Sequence, residues 1–415
     1  MALVAPFKGY RVRKDLAQKV ASRPYDVISS EEAREEAKDN PLSFLHVIKP
    51  EIDLPPGIDV HSTMVYEKGR ANLEKMIKDG ILVQDTSPCF YIYAQKFLGK
   101  TQYGILGCAH IDDYINNKIR KHELTRPDKE LDRINIIKYH NFHAEPVFFA
   151  YQDNEKINSI VDTIIQDEPE YKFVADDGIE HLLWVVSDKK TIGNIEEIFV
   201  EEVPCTYVAD GHHRTAAATK TAMELMQKNP HHTGKEEYNY FMAVHFPASQ
   251  LRIIDYNRVV KDLNGHSVNG FIEKLRDSFD ITEKGSSEYR PLRLHEFSMY
   301  IDGKWYALAS REGTYDDNDP IGCLDVTVLS KQVLDPLLNI TDLRNSKRID
   351  FVGGMRGLGE LKKRVDSGEM KVAFALYPVT MKQLIDIADT GNIMPPKSTW
   401  FEPKLRSGLV IHHLG

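Results

Sequence analysis

At 415 residues, with 42% hydrophobic and 28% charged residues, the chain has the balance of a folded globular protein, long enough for two domains or one elaborated α/β unit. A formal charge of −9 excludes a global electrostatic footprint for nucleic acid, though not a local basic pocket for a small polyanion. No stretch approaches the roughly 18 apolar residues of a membrane span, the start reaches charge at Lys8 without the pattern of a signal peptide, and four scattered cysteines without a CxxC pair read as buried thiols in a reducing cytosol. A cytoplasmic location is expected.

Ser29-Ser30-Glu31-Glu32 opens a helix to about Lys38, with Ser29 and Glu32 at capping-box spacing. Residues 44–49 read as a strand, and 60–79 as a helix with Val65, Leu73, Met76 and Ile77 on one apolar face. Strands at 89–96 and 103–111 around Gly99-Lys100 predict a hairpin. A helix follows at 134–140, then strands at 146–152 and 181–186. Past about residue 250 the pattern changes to an α+β one: a segment at 256–263, a helix at 269–279, a hairpin around Asp302-Gly303, a helix at 355–367, a strand at 371–376 and a helix at 380–389. The tail from Asn392 has little periodicity, and a segment of that length needs to be pinned to something. The expected fold class is α/β (α+β), with one domain over residues 1–250 and an α+β domain over 251–415, its tail returning to the cleft of the first.

Residues 203–220, VPCTYVADGHHRTAAATK, concentrate the chemistry. Residues 203–208 read as a buried strand, Asp210-Gly211 as a tight turn and 214–226 as a helix. Free N–H groups and the positive end of a helix dipole attract phosphate, and Gly211, without a Cβ, permits close approach. The bland alternative is a structural turn with two solvated histidines.

The DGHHR turn at 210–214 resembles the signature loop of the ParB/sulfiredoxin-like superfamily, which includes nucleotide-hydrolysing ParB clamps, sulfiredoxins and free-serine kinases. The chain also resembles a widespread bacterial domain-of-unknown-function family. The segments that carry this likeness are RPYDV at 23–27, KHE-x-T at 121–125, DGHHR itself and MPPKSTWFEPKLRSGL at 394–409. It implies a ParB/sulfiredoxin-like core with inserted elements, whose loop holds nucleotide phosphates.

Lys121-His122-Glu123-Leu124-Thr125 is the second cluster. His-Glu-x-x-His would be a zinc site, but position 126 is Arg. If a helix begins here, Glu123 and Arg126 share a face as an ordinary ion pair. By resemblance to the free-serine kinases, which use an upstream glutamate as general base, Glu123 takes that role. His140 and His143 are three apart and read more readily as packed residues than as metal ligands. The Gly-rich run at 351–359 is neither GxGxxG nor a P-loop and reads as a structural turn. Lys397, Ser398 and Thr399, with Lys404 and Arg406, suit a lid over phosphates, because Trp400, Phe401 and Leu405 nearby need burial. Arg23, Tyr25 and Asp26 form a simple turn or hold an amine or a ribose.

Together these residues predict a small-molecule kinase, with free L-serine the best guess for acceptor. Glu123, Asp210 and His212 carry catalysis. Gly211, His212, His213, Arg214, Thr215, Lys397, Ser398, Thr399 and Lys404 hold phosphate or nucleotide, and Arg23, Tyr25, Asp26 and His122 hold substrate. Asp210 takes Mg²⁺ or orients a histidine, and the donor is ATP, ADP or pyrophosphate. The rival is a nucleotide-binding regulatory protein of ParB type without kinase activity, though no helix-turn-helix is evident. A sulfiredoxin-like reaction would place a cysteine in the loop, where this chain has histidines. No nucleic acid or membrane partner is expected.

Overall fold

The computed structural model describes residues 1–415 and divides into two compact units, one of residues 1–251 and 403–415, the other of residues 252–402. The last thirteen positions thus group with the first unit. Both units mix helices and sheets, an α/β fold overall.

A nine-stranded sheet builds the first unit, in the order Ile119–Arg120, Thr206–Asp210, Val147–Tyr151, Tyr240–Pro247, Lys100–His110, Phe90–Phe97, Glu180–Val186 and Tyr171–Val174, with Val4–Ala5 also paired to Lys100–His110. Val147–Tyr151, of sequence VFFAY, is buried at every position, as a strand covered on both faces must be. One apolar cluster sets Phe90, Ile92 and Trp184 of the sheet against Ile157, Ile195 and Phe199 of the helices Glu155–Ile164 and Lys189–Glu202. A second sets Phe149, Val208 and Phe241 against Ile134, Ile137, Ala217 and Ala218 of the helices Pro127–His140 and His212–Lys228. The alanines of the latter helix leave its backbone close to the sheet.

Short apolar runs and proline positions account for the differences from expectation. Residues 44–49 contain the helix Leu45–Ile48, not a strand, with Phe44, Leu45, Val47 and Ile48 all buried. So short a run, buried at all but one of its helical positions, has no readable period. Pro127 starts its helix at the first position, so residues 121–126 lie outside it and form a loop. Pro204 separates the helix Lys189–Glu202 from the strand Thr206–Asp210, which starts three residues and ends two residues later than its apolar pattern suggests. The tail forms the strand Val410–His413, inserted between Tyr10–Val12 and Phe142–His143.

In the second unit a six-stranded antiparallel sheet runs Phe279–Gly285, Lys304–Ser310, Glu296–Ile301, Val372–Leu376, Tyr256–Val260 and Ile349–Gly353. Asp302 and Gly303, both at positive φ, make the expected two-residue hairpin. Leu358 and Leu361 of the helix Gly357–Asp366 pack on Val259, Tyr300 and Trp305. No helix in the chain is long and apolar enough to cross a membrane.

Candidate active site

The strand Thr206–Asp210 ends on Asp210, and Gly211, at φ +97°, turns the chain into the helix His212–Lys228. That backbone conformation strains any residue with a Cβ. A Cβ at 211 would also press on Arg214 Nε at 3.1 Å and Val147 Cγ1 at 3.2 Å. The helix begins two residues earlier than its apolar pattern suggests, at His212, and no side chain caps it. The N–H groups of its first turn therefore need an acceptor from outside the helix. Thr215, read from sequence as a phosphate ligand, is spent locally: it is fully buried and its Oγ1 donates to Gly211 O at 3.1 Å.

Asp210 is held from two sides. Arg214 donates to its Oδ2 at 2.7 Å and Lys404 to its Oδ1 at 2.6 Å. Burial alone would raise this carboxyl, but Lys404 and Arg214 outweigh it and hold the group well below the usual carboxylate range. Arg214 has a different task from the phosphate contact expected of it. Its guanidinium is buried, donates to Pro146 O at 2.6 Å as well as to Asp210, and lies 3.8 Å from Asp26 Oδ2. It fixes the turn from beneath. Mg²⁺ on Asp210 does not fit, because both carboxylate oxygens already meet a cation. No group of three or more His, Cys, Asp or Glu is placed to hold a metal anywhere in the chain. His140 and His143 lie on separate elements, a helix end and the strand Phe142–His143.

Above the turn stand three uncharged imidazoles. His122 and His212 meet edge to face, their ring centroids 4.6 Å apart. Burial pushes His122 down to about 4, and burial with His122 alongside holds His212 well below the ordinary imidazole value. Burial also lowers His213, against the pull of Glu130 and Asp26. His212 Nε2 and His213 Nδ1 are buried without a hydrogen-bond partner in the chain, a costly arrangement that an incoming acceptor or donor would relieve. Glu123 comes from the loop after the strand Ile119–Arg120, which pairs in parallel with Thr206–Asp210. Its Oε2 lies 4.0 Å from His212 Nδ1, and its side chain is 42% exposed. Arg126 pairs instead with Asp128, and Lys121 lies over the Tyr114 ring.

The turn Tyr25–Val27 forms the next wall. Arg133 covers the Tyr25 ring at 3.6 Å and reaches Asp132 at 2.6 Å and Glu145 at 3.4 Å. Glu145 accepts from Tyr25 N and from Ser407 Oγ, both at 3.2 Å, and its burial raises its carboxyl. Arg23, expected at the substrate, is engaged by Glu36. Lys397, Ser398 and Thr399 belong to the second unit, whereas Lys404 and Arg406 belong to the first. Arg406 is buried against Asp177 and donates to His181 Nε2 at 3.3 Å. Glu145 was not singled out as a site residue. Glu145 had a signal, a lone carboxylate at the head of the apolar run 146–152, and its cost when buried demands a partner.

The first unit is thus an α/β scaffold with an uncapped helix start and a ring of charged and neutral polar groups around it. A family model described as a protein of unknown function (DUF1015) matches residues 4–327, and the chain belongs to that family. Among curated proteins, none matches it. A solved structure of a conserved hypothetical protein from Pyrococcus furiosus is similar, at 15% identity over 73% of this chain and 93% of the other, with a TM-score of 0.34. A free serine kinase in complex with AMP is similar at 13% identity over 72% and 86%, with a TM-score of 0.34. SbnI from Staphylococcus aureus, with a C-terminal truncation, is similar at 12% identity over 72% and 82%, with a TM-score of 0.31.

Proposed function

We propose that this protein transfers a phosphoryl group from a phosphorylated donor to the hydroxyl of a small molecule, free L-serine being the first acceptor to test. The observation that carries the reading is the uncapped start of the helix His212–Lys228 on a left-handed glycine, with His212 Nε2 buried and unpaired in that first turn. Phosphoryl transfer asks a protein mainly for positioning and charge stabilisation, and this turn supplies N–H donors, two imidazoles and a dipole end.

Donor phosphates would lie on the 211–214 backbone, with His212 and His213 donating or accepting as neutral groups. Asp210, pinned by Lys404 and Arg214, orients the turn. Glu123 takes the acceptor's hydroxyl proton as that oxygen forms its bond to phosphorus. The donor's bridging P–O bond breaks, and the shortened donor leaves with the electron pair. Tyr25, Asp26 and His122 line the acceptor side. No step runs through a metal on Asp210.

The test is to incubate the purified protein with ATP, ADP or pyrophosphate and an amino-acid mixture, and to look for O-phosphoserine by mass spectrometry. Transfer to a different hydroxyl compound changes the acceptor and keeps the reaction class. Donor binding without transfer to any acceptor removes the kinase reading and leaves a nucleotide-binding regulatory protein.

A further inference from the structure

Arg258 stands in the second unit on the strand Tyr256–Val260, between the strands Val372–Leu376 and Ile349–Gly353. It is 1% exposed, the most deeply buried arginine of the chain. The other buried arginines each have a carboxylate: Arg133 has Asp132 and Glu145, Arg214 has Asp210, and Arg406 has Asp177. Arg258 has none. Its guanidinium donates to Tyr256 O and, at 2.8 Å, to Lys397 O. The adjacent acid, Asp255, is already engaged by Arg290 at 2.8 Å and by Asn257 Nδ2 at 2.7 Å. Burial pushes Arg258 down to about 10, which still leaves it charged at neutral pH. A buried charge whose only partners are neutral carbonyls is among the costliest arrangements a fold carries.

The surroundings suit a ligand. Arg258 lies 5.3 Å from the centre of the Phe351 ring and 6.0 Å from that of Tyr256, and Lys397 Nζ lies 5.7 Å from the same Tyr256 ring. Trp400 meets Tyr256 edge to face at 5.1 Å. Lys397 itself is exposed and left-handed, at φ +60°, a conformation disfavoured for a long side chain. It follows Pro395-Pro396 in a turn closed by Ser398 Oγ donating to Pro395 O at 2.6 Å.

We propose that Arg258 and Lys397 form an oxyanion site within the second unit, closed by the turn at 395–398, that takes the carboxylate or phosphate group of a small molecule. The Lys397 carbonyl stands on Arg258 where a ligand oxygen belongs. When Lys397 leaves its left-handed conformation the carbonyl swings off, the anion takes its place, and the Lys397 ammonium closes over it. The site shares no residue with the turn at 210–214 and stands independently of the phosphotransfer reading.

The experiment titrates the full chain with sodium phosphate and, separately, sodium malonate at constant ionic strength, by calorimetry and by melting temperature. One or both probes are expected to bind in a way that Arg258→Met weakens at least about tenfold, the loss of a charge-assisted contact. Lys397→Ala, at an exposed position that leaves the fold intact, is expected to weaken the same binding about threefold. Repeating the titrations in a Gly211→Ala background separates this site from the first: the dependence on Arg258 and Lys397 is expected to remain there. Binding of malonate alone identifies a carboxylate ligand, and binding of phosphate alone a phosphate ester. In anion-free buffer Arg258→Met is expected to melt no lower than the wild type, because it removes an uncompensated charge. If Arg258→Met does not fold, Lys397→Ala decides. Binding of both probes unaltered in Lys397→Ala, or no binding of either probe to the wild type, overturns the proposal.

Discussion

Lys404 Nζ lies 2.6 Å from Asp210 Oδ1, joining residues 194 positions apart in the sequence. Both side chains are mostly buried, at 15% and 21% exposure, so the pair is poorly screened. Lys404→Met keeps the stem and removes the charge, leaving Arg214 as the sole cation on a buried carboxylate. The expected cost is about 1–3 kcal/mol in urea unfolding at pH 7. The pair holds Asp210 below its unfolded value of 3.8. Its stability is therefore present above that value and lost as the pH falls through the folded one. The gap between wild type and variant should narrow below about pH 4. A gap that stays constant from pH 7 to pH 3 would show that the two charges do not interact.

Gly211→Ala probes the turn itself. The substituent meets both a positive φ and contacts of 3.1 and 3.2 Å. A destabilisation of about 1–2 kcal/mol is expected from the strained backbone, with loss of ADP binding measured by calorimetry. Retained ADP affinity in a folded Gly211→Ala protein would place the donor elsewhere.

How far the sequence speaks depends on distance along the chain. The capping box of Ser29 and Glu32 is present as its spacing demands, and so is the hairpin of Phe90–Phe97 with Lys100–His110, because both are local. The strand-turn-helix at 206–228 was readable for the same reason. The strand Val410–His413 was not, since its partners Tyr10–Val12 and Phe142–His143 lie hundreds of positions away. Nor could the sequence show that Arg214 faces inward to Asp210 and Pro146: an arginine beside a phosphate-type turn has the same one-dimensional context whichever way it points. Residues 44–49 mislead because a four-residue helix with all but His46 buried and a short strand show the same short, mostly apolar run.

His140 offers a test in acid. Both its ring nitrogens are buried without a partner, and burial lowers it from 6.5 to about 3. The folded state therefore takes up no proton on this ring between those values, while the unfolded chain does. Stability is full above about pH 6.5 and falls as the pH drops, by about 2 kcal/mol for one such ring at pH 5. His140→Leu should shrink the loss in urea midpoint between pH 7.5 and pH 5. His122, His181 and His245, lowered by burial to about 4, 3 and 4, keep part of the slope. An unchanged slope in His140→Leu would mean that this ring is solvated.

Glu123→Gln is the sharpest test of the chemistry. Glutamine keeps the length and the hydrogen-bonding reach of Glu123 but takes up no proton at neutral pH. The carboxylate stands 4.0 Å from His212 Nδ1, and its side chain is 42% exposed. The substitution removes nothing from the packed core, so folding should be intact and the melting temperature within a degree or two of the wild type. Turnover should fall by about a hundredfold to ten-thousandfold, the usual loss for a general base. Donor affinity, measured by calorimetry on the same preparation, should change less than about threefold, because the donor rests on the 211–214 backbone. Because a carboxylate must be ionised to accept a proton, wild-type turnover should fall on the acid side of its profile, and the residual turnover of Glu123→Gln should lack that limb. A variant that keeps wild-type turnover moves the base to Asp26, Asp210 or His212, of which Asp210 is the least suited, since two cations already hold its charge.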